Sequence, residues 1–416
     1  MSYFHHFIEL HAHLDGSITL DIAKDLMKSQ NIPLLDDEEL LAKLTLPPSC
    51  ESLNDFLKCF EMPLTLLQTK EALKRATYLI LENMKNQGVI YAELRFAPQL
   101  HTQKGLTQED ALLAVLEGTK EASIPCNLIL CFMRGEGNEK ENEETLELAH
   151  RYLTVDHGVV ALDLAGAEAL YPTKKYKELF KKAYDYHIPF TIHAGEADDE
   201  SSVKDALSFG AKRIGHGIRI QKDSLLLKEI KEKNIGLEMC PTSNRQTKAV
   251  SNMNEYPLSY YLELGLCVTI NTDDMAIEGT TLKNEFDYIE KQYNISYEQE
   301  LQLLKNAISS AFCSDITKES LLKIIQSDIS ILTQQDSICY LQNGKVIAEI
   351  DFPITGDDEI TITHTFVDDC LRGQGYAKKL VEGVITYAKE NHKYIRATCS
   401  YALHYFEKNP NSLYRG

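Results

Sequence analysis

The sequence predicts an α/β protein: a (β/α)8 barrel of the TIM type with an additional helical lid over its mouth, followed by a small α+β domain. Three observations predict it. Over residues 1–333, short apolar or β-branched runs alternate with amphipathic segments eight times, and polar residues recur just beyond the ends of most runs. The pattern then gives way to a stretch with an Asn343-Gly344 hairpin signal. A doubly wound open sheet competes with this reading, but no Gly-x-Gly-x-x-Gly follows the first strand.

The first run, Phe7–His13, leads into Leu14-Asp15-Gly16-Ser17. Residues two apart on a strand share a face, so His11 and His13 pair at the end of a barrel strand where catalytic groups collect. Helices are predicted at Leu20–Ser29, 38–44 and 53–68, with Pro47-Pro48 breaking the middle. In the last of these, Leu53, Phe56, Leu57 and Phe60 recur at helical spacing, an apolar face that either docks on the core or covers a pocket. Strands are then expected at Val89–Phe96, 126–132, 159–164, 189–192, 213–214, 235–239 and 266–270. Amphipathic segments at 174–186, 201–209, 224–233 and 258–264 lie between them, several stopped by glycine at Gly88, Gly210 and Gly265. Helices over 284–293 and 298–325 finish the barrel. Residues 327–337 read as irregular, and the boundary is placed at 333/334. Strands at 338–342, 345–352 and 359–367 and a helix at 378–390 follow.

The strand ends carry the chemistry. They present His11 and His13; Ala165-Gly166-Ala167-Glu168; His193-Ala194-Gly195-Glu196; Gly215-His216-Gly217; Cys240-Pro241-Thr242-Ser243-Asn244; and Asn271-Thr272-Asp273-Asp274. His11, His13 and His193 with Asp273 offer three nitrogens and one oxygen, a set suited to Zn2+ with an open position for water. A metal there lowers the pKa of its water from about 15.7 toward about 7. Glu196 is then placed to act as general acid and base, and His216 to orient the attacking oxygen. Asp274 either enters the pocket or stays structural.

Composition narrows the partners. A formal charge of −19 argues against nucleic acid, which needs clustered lysine and arginine. No apolar run approaches the roughly 18 residues of a membrane span, and the start lacks a signal-peptide pattern, so a cytoplasmic protein without a membrane partner is expected. The ten cysteines are scattered, as in reduced packed thiols. The sequence leaves the oligomeric state open.

Taken together, the motifs at 9–17, 163–166, 193–196, 215–217, 240–244 and 272–274 resemble the adenosine deaminase branch of the amidohydrolase superfamily. The resemblance implies a small-molecule purine nucleoside as substrate, with Glu196 protonating purine N1 and His216 and Asp273 completing the catalytic set. It further implies that Asp274 meets N7, the Gly166 backbone meets N3, and Asp15 reaches the ribose. His13 would also face the substrate, and Phe56, Leu57 and Phe60 would form the lid. Ala167 and Met275 depart from the family pattern, where an acidic residue and a proline are common. Both flank substrate-contacting positions, so adenine or another 6-aminopurine derivative stays open as the substrate. A non-catalytic protein with a structural metal is the third reading; an open metal position beside Glu196 and His216 argues against it.

In residues 334–416, Arg372-Gly373-Gln374-Gly375-Tyr376-Ala377 sits between a strand and a helix, the arrangement in which free backbone N–H groups meet a phosphate. The turn resembles the pyrophosphate-binding turn of small GNAT-type N-acetyltransferases. This implies a GNAT-like domain, acetyl-CoA as a second cofactor and a bifunctional chain as one alternative. His364, Cys399 and His404 are the candidate bases for acetyl transfer.

Overall fold

A computed structural model describes residues 2–47 and 56–416. Leu53 and the start of the predicted 53–68 helix lie outside the described residues. The chain divides into two compact units, the bulk of them His6–Leu322 and Lys323–Gly416.

In the first unit, two four-stranded parallel sheets make the barrel wall. β1 (Phe7–His13), β2 (Val89–Phe96), β3 (Cys126–Met133) and β4 (Val159–Ala165) pair in that order, as do β5 (His193–Ala194), β6 (Arg213–His216), β7 (Gly236–Met239) and β8 (Val268–Ile270). Parallel bridges join the halves at both seams, Ala12 to Asp273 and Leu162 to Phe190. The wall is therefore closed, with no open sheet edge. Strand interiors are almost wholly buried, as helix-covered parallel strands must be. Helices such as Lys70–Asn86 lie between strands, capped by threonine or aspartate side chains at their starts.

Two details differ from the predicted elements. Regular pairing of β5 begins at His193 rather than at 189, because Pro189 has no N–H to give; residues 189–192 make single bonds alternately to Leu162 and to Lys212 or Gly215. The described part of the 53–68 helix is broken into a 3-10 turn, Leu57–Phe60, and a short helix, Glu61–Leu66. Pro63 explains this: it fits a first helical turn and cannot continue an earlier one.

The second unit begins before the predicted boundary, since β9 (Ile329–Thr333) pairs with β10 (Ser337–Gln342). β10 turns through Asn343-Gly344 into β11 (Lys345–Asp351), which pairs with β14 (His364–Val367). The single strand expected at 359–367 is two strands. β13 (Glu359–Ile362) lies between β12 (Ile354–Gly356) and β15 (Tyr394–Ala397), so the chain leaves one sheet for the other at Thr363. The helix Tyr376–Glu390 buries Leu380, Val381, Val384 and Ala388 in a core with Ile350, Ile360 and Phe406.

Candidate active site

His11 and His13, on one face of β1, meet His193 from β5 and Asp273 just past β8. Their ligand atoms lie within 4.8 Å of one another. The ring nitrogens His11 Nε2 and His13 Nε2 stand 3.0 and 3.3 Å from His193 Nε2, and 3.3 and 3.4 Å from Asp273 Oδ1. Tetrahedral bonds of about 2.05 Å would give edges of about 3.3 Å. The donor set and its spacing thus fit a divalent metal of borderline softness.

Two of the imidazoles are held from behind. His11 Nδ1 lies 2.7 Å from Glu238 Oε2, and His193 Nδ1 lies 2.9 Å from Asp163 Oδ2. Each carboxylate takes the Nδ1 hydrogen and leaves the Nε2 lone pair facing the cluster. Arg95 ties the two carboxylates together, at 2.8 Å from each, and Arg213 bonds the other oxygen of Glu238. Burial would raise Glu238 and Asp163. The Arg95 charge, with Arg213 at Glu238 and His193 at Asp163, outweighs it and holds both carboxyls well below their usual range.

Asp273 and His216 both have left-handed backbones, φ 69° and 62°. Such conformations cost a side-chain residue about 1–3 kcal/mol. At Asp273 the cost is met by pairing: its N–H donates to His11 O, and its C=O accepts from His13 N–H. Ser243 Oγ donates to Asp273 Oδ2 at 2.7 Å. Tyr256 OH donates to Asn244 Oδ1, so the Asn244 amide presents its N–H to His216 Nδ1 at 3.0 Å. His216 Nε2 therefore carries the hydrogen; it is buried without a hydrogen-bond partner among the described residues, 3.6 Å from Glu196 Oε2 and 3.8 Å from Asp273 Oδ2.

His13, His193, Glu196, His216, Ser243 and Asp273 line one side of a cavity of about 260 Å3 that also receives Asp15, Phe56, Phe60, Gly166 and Asp274. Every substrate-facing residue expected from the sequence is on its wall, Leu57 included. Phe56 is buried and packs on Ile277, closing the apolar side. Asp274 Oδ1 is buried with no partner among the described residues, and burial together with the charges of Asp273, Asp15 and Glu196 pushes its carboxyl far up. Gly16 makes room for it, since a Cβ there would fall 1.7 Å from Asp274 Oδ1. Burial also pushes Asp15 up to about 6, against the pull of its own and Gly16's backbone amides. Ala167 lines the cavity, and Met275 is buried at the start of the helix Met275–Glu278.

Four further residues, Arg95, Arg134, Glu238 and Thr247, support the site without a motif to mark them in the sequence. Thr247 Oγ1 donates to Glu196 Oε1 at 3.1 Å. Arg134 donates to the carbonyls of Tyr171 and His193 and to Thr173 Oγ1. A Thr247 signal was within reach, because it lies one helical turn beyond Ser243.

In the C-terminal unit, a cavity of about 660 Å3 is lined by Arg372, Gly373, Gly375, Tyr376 and Ala377, with His364, Phe366 and Tyr401 opposite. Gln374, expected among the cofactor contacts, is not on its wall; its amide donates to Cys370 O instead. Gly373 and Gly375 have φ of +80° and +85°, a turn that only glycine makes without strain. Cys399 donates its thiol hydrogen to Thr365 Oγ1 at 3.3 Å, and His404 lies 3.5 Å from Glu407. Of the three candidate bases, only His364 lines the cavity.

Residues 7–328 match the adenosine deaminase family model, and residues 338–415 match that of the GCN5-related N-acetyl-transferases. An adenosine deaminase of Haemophilus ducreyi is 45% identical over 327 residues, 77% of this chain and 95% of the relative. One from Enterococcus faecalis is 42% identical over 319 residues, covering 76% and 94%. Among solved structures, an adenine deaminase from Arthrobacter aurescens aligns with a TM-score of 0.69 at 29% identity, covering 76% and 97%. An Arabidopsis N6-mAMP deaminase aligns at 0.67 and 27%, covering 77% and 97%.

Proposed function

We propose that this chain, which belongs to the adenosine deaminase family, hydrolyses adenosine and 2′-deoxyadenosine to inosine and 2′-deoxyinosine with release of ammonia. The observation that carries the reading is the convergence of the His11, His13, His193 and Asp273 cluster with Glu196, His216 and Asp274 on one cavity. Zn2+ is the metal assigned to the cluster; when bound it would lower the pKa of a coordinated water toward about 7. Glu196, steadied at one oxygen by Thr247, delivers a proton to purine N1 and so makes C6 electrophilic. His216, whose Nε2–H is aimed into the site, orients the incoming oxygen. Asp274, kept in its acid form, donates to N7, and the Gly166 backbone meets N3. Phe56 and Phe60 exclude water from the reacting face.

Asp15 favours a nucleoside over a free base or a nucleotide. A buried carboxylate suits a ribose hydroxyl, a partner that adenine lacks. It would also repel a phosphate, and the sole lysine or arginine on the described wall, Arg134, already spends its terminal nitrogens on Tyr171, Thr173 and His193. For the C-terminal unit the proposal is acetyl-CoA binding, its pyrophosphate on the Gly373–Gly375 turn; the arrangement of turn, helix start and cavity supports this.

Steady-state rates of the zinc-loaded full chain on adenosine, adenine and AMP test the assignment. The expected kcat/KM for adenosine exceeds the other two by at least about 100-fold, the scale of a lost buried hydrogen bond to a substrate hydroxyl. Equal turnover of adenine would overturn the role of Asp15 and with it the nucleoside assignment.

A further inference from the structure

Glu168 lies three residues past β4, beyond the Gly166 and Ala167 that line the cavity, and is 1% exposed. Its carboxylate reaches across to the loop after β5. Oε1 accepts from Gly195 N–H at 2.7 Å and from Ser202 Oγ at 2.6 Å. Oε2 accepts from Glu196, Ala197 and Asp198 N–H at 3.0, 2.7 and 3.1 Å. Four successive backbone amides thus converge on one side chain, with Gly195 at φ +71° supplying the left-handed step that turns them inward. Buried amides need an acceptor, and in this loop Glu168 supplies it. No lysine or arginine pairs with Glu168 among the described residues, so its oxygens are committed to the loop.

We propose that Glu168 is a positioning residue for the deamination: it staples the β4 loop, which meets the purine, to the β5 loop, which carries the acid Glu196. The inference rests on the function proposed above. Glu196 is the second of the four amides that Glu168 holds, and its side chain must reach N1 of a base seated against Gly166. A change in the distance between the two loops moves donor and acceptor apart by the same amount. The acid form of Glu168 would lose an acceptor and place a hydrogen among the donors. Burial alone would favour that form; the Arg134 charge, the Ser202 hydroxyl and the amides of Ala197 and Gly195 outweigh it and hold the carboxyl below its usual range.

Glu168→Gln is the test, because its amide nitrogen would meet donors in place of an acceptor on one side of the group. In the zinc-loaded variant, amide hydrogen exchange of a peptide spanning 194–199 should speed up at least about 10-fold relative to the unchanged chain. kcat should fall at least about 30-fold, with KM within about threefold and bound metal unchanged, in keeping with the roughly 10²-fold penalty of an ångström-scale misplacement. Ser202→Ala, which removes one donor, should shift exchange and kcat the same way by a smaller factor and covers the case that Glu168→Gln does not fold. Unchanged exchange at 194–199 in a folded variant would overturn the staple. Faster exchange with wild-type kcat per bound metal would overturn its role in positioning the acid. A chain that is inactive on adenosine before any substitution would instead fail the proposed function, while the exchange measurement would still decide the staple.

Discussion

In the barrel, His11 and His193 each have a buried carboxylate behind the ring, and one buried arginine ties both carboxylates together. In the C-terminal unit, among the described residues, Arg372 pairs only with Asp369, three residues away, and the two side chains are 71% and 85% exposed. Among the described residues, none comes within 4 Å of where a Cβ would stand on Gly373 or Gly375. The two sites therefore differ in what fixes them. The barrel's is set by the fold before any ligand arrives, which is what electrostatic catalysis requires. The C-terminal turn presents backbone donors to solvent, and its geometry is left for a ligand to define.

The difference can be broken most severely at the cluster. His11→Ala or Asp273→Ala should lose bound metal and lower adenosine turnover on the order of 10⁴-fold, read by metal analysis beside the rate. Next comes the support behind the ring: Glu238→Gln should keep the four ligands but weaken zinc affinity by about 10–100-fold, measured by competition with a chelator. A comparable loss on replacing a residue of the exposed turn would erase the contrast.

Acid stability sharpens it further. His101 is buried, donates Nδ1–H to Leu67 O, and leaves Nε2 unpartnered among the described residues. Burial lowers its pKa from 6.5 to about 4, the Leu67 carbonyl opposing only in part. The unfolded chain takes up a proton below pH 6.5 that the folded barrel refuses until about pH 4, so stability is lost as pH falls through that window. His101→Asn should reduce the loss between pH 7 and pH 4 by about 3 kcal/mol in urea unfolding of the barrel. The smallest effect is expected at Arg372→Ala: a loss of about fivefold in affinity for acetyl-CoA, by calorimetry, with adenosine turnover unaltered.

How legible this was in the sequence follows the same division. His11 and His13 are readable because strand period two places them together, and His193, His216 and Asp273 because they end apolar runs. Their supports are not. Glu93 and Arg95 sit inside the β2 run, where charge reads as an interruption, yet both are fully buried and pair across the barrel with partners more than 60 residues away. Long-range pairing of that kind leaves no local period. β9 was hidden for the opposite reason: Ser330 faces inward at 0% exposure while Ile331 faces out at 49%, which inverts the alternation that marks a strand. The split at Thr363 was hidden as well, since Glu359–Ile362 and His364–Val367 continue one apolar alternation but belong to different sheets.

On the function proposed above, Glu196 serves the cluster of His11, His13, His193 and Asp273 without belonging to it. Glu196→Gln in the full chain, with zinc content and adenosine-to-inosine conversion measured on the same sample, tests that directly. The expected result is one equivalent of zinc, as in the unchanged chain, with turnover reduced at least about 10³-fold, in the range of a lost general acid. Full turnover at full zinc occupancy would remove Glu196 from the reaction and contradict the assignment of the cavity.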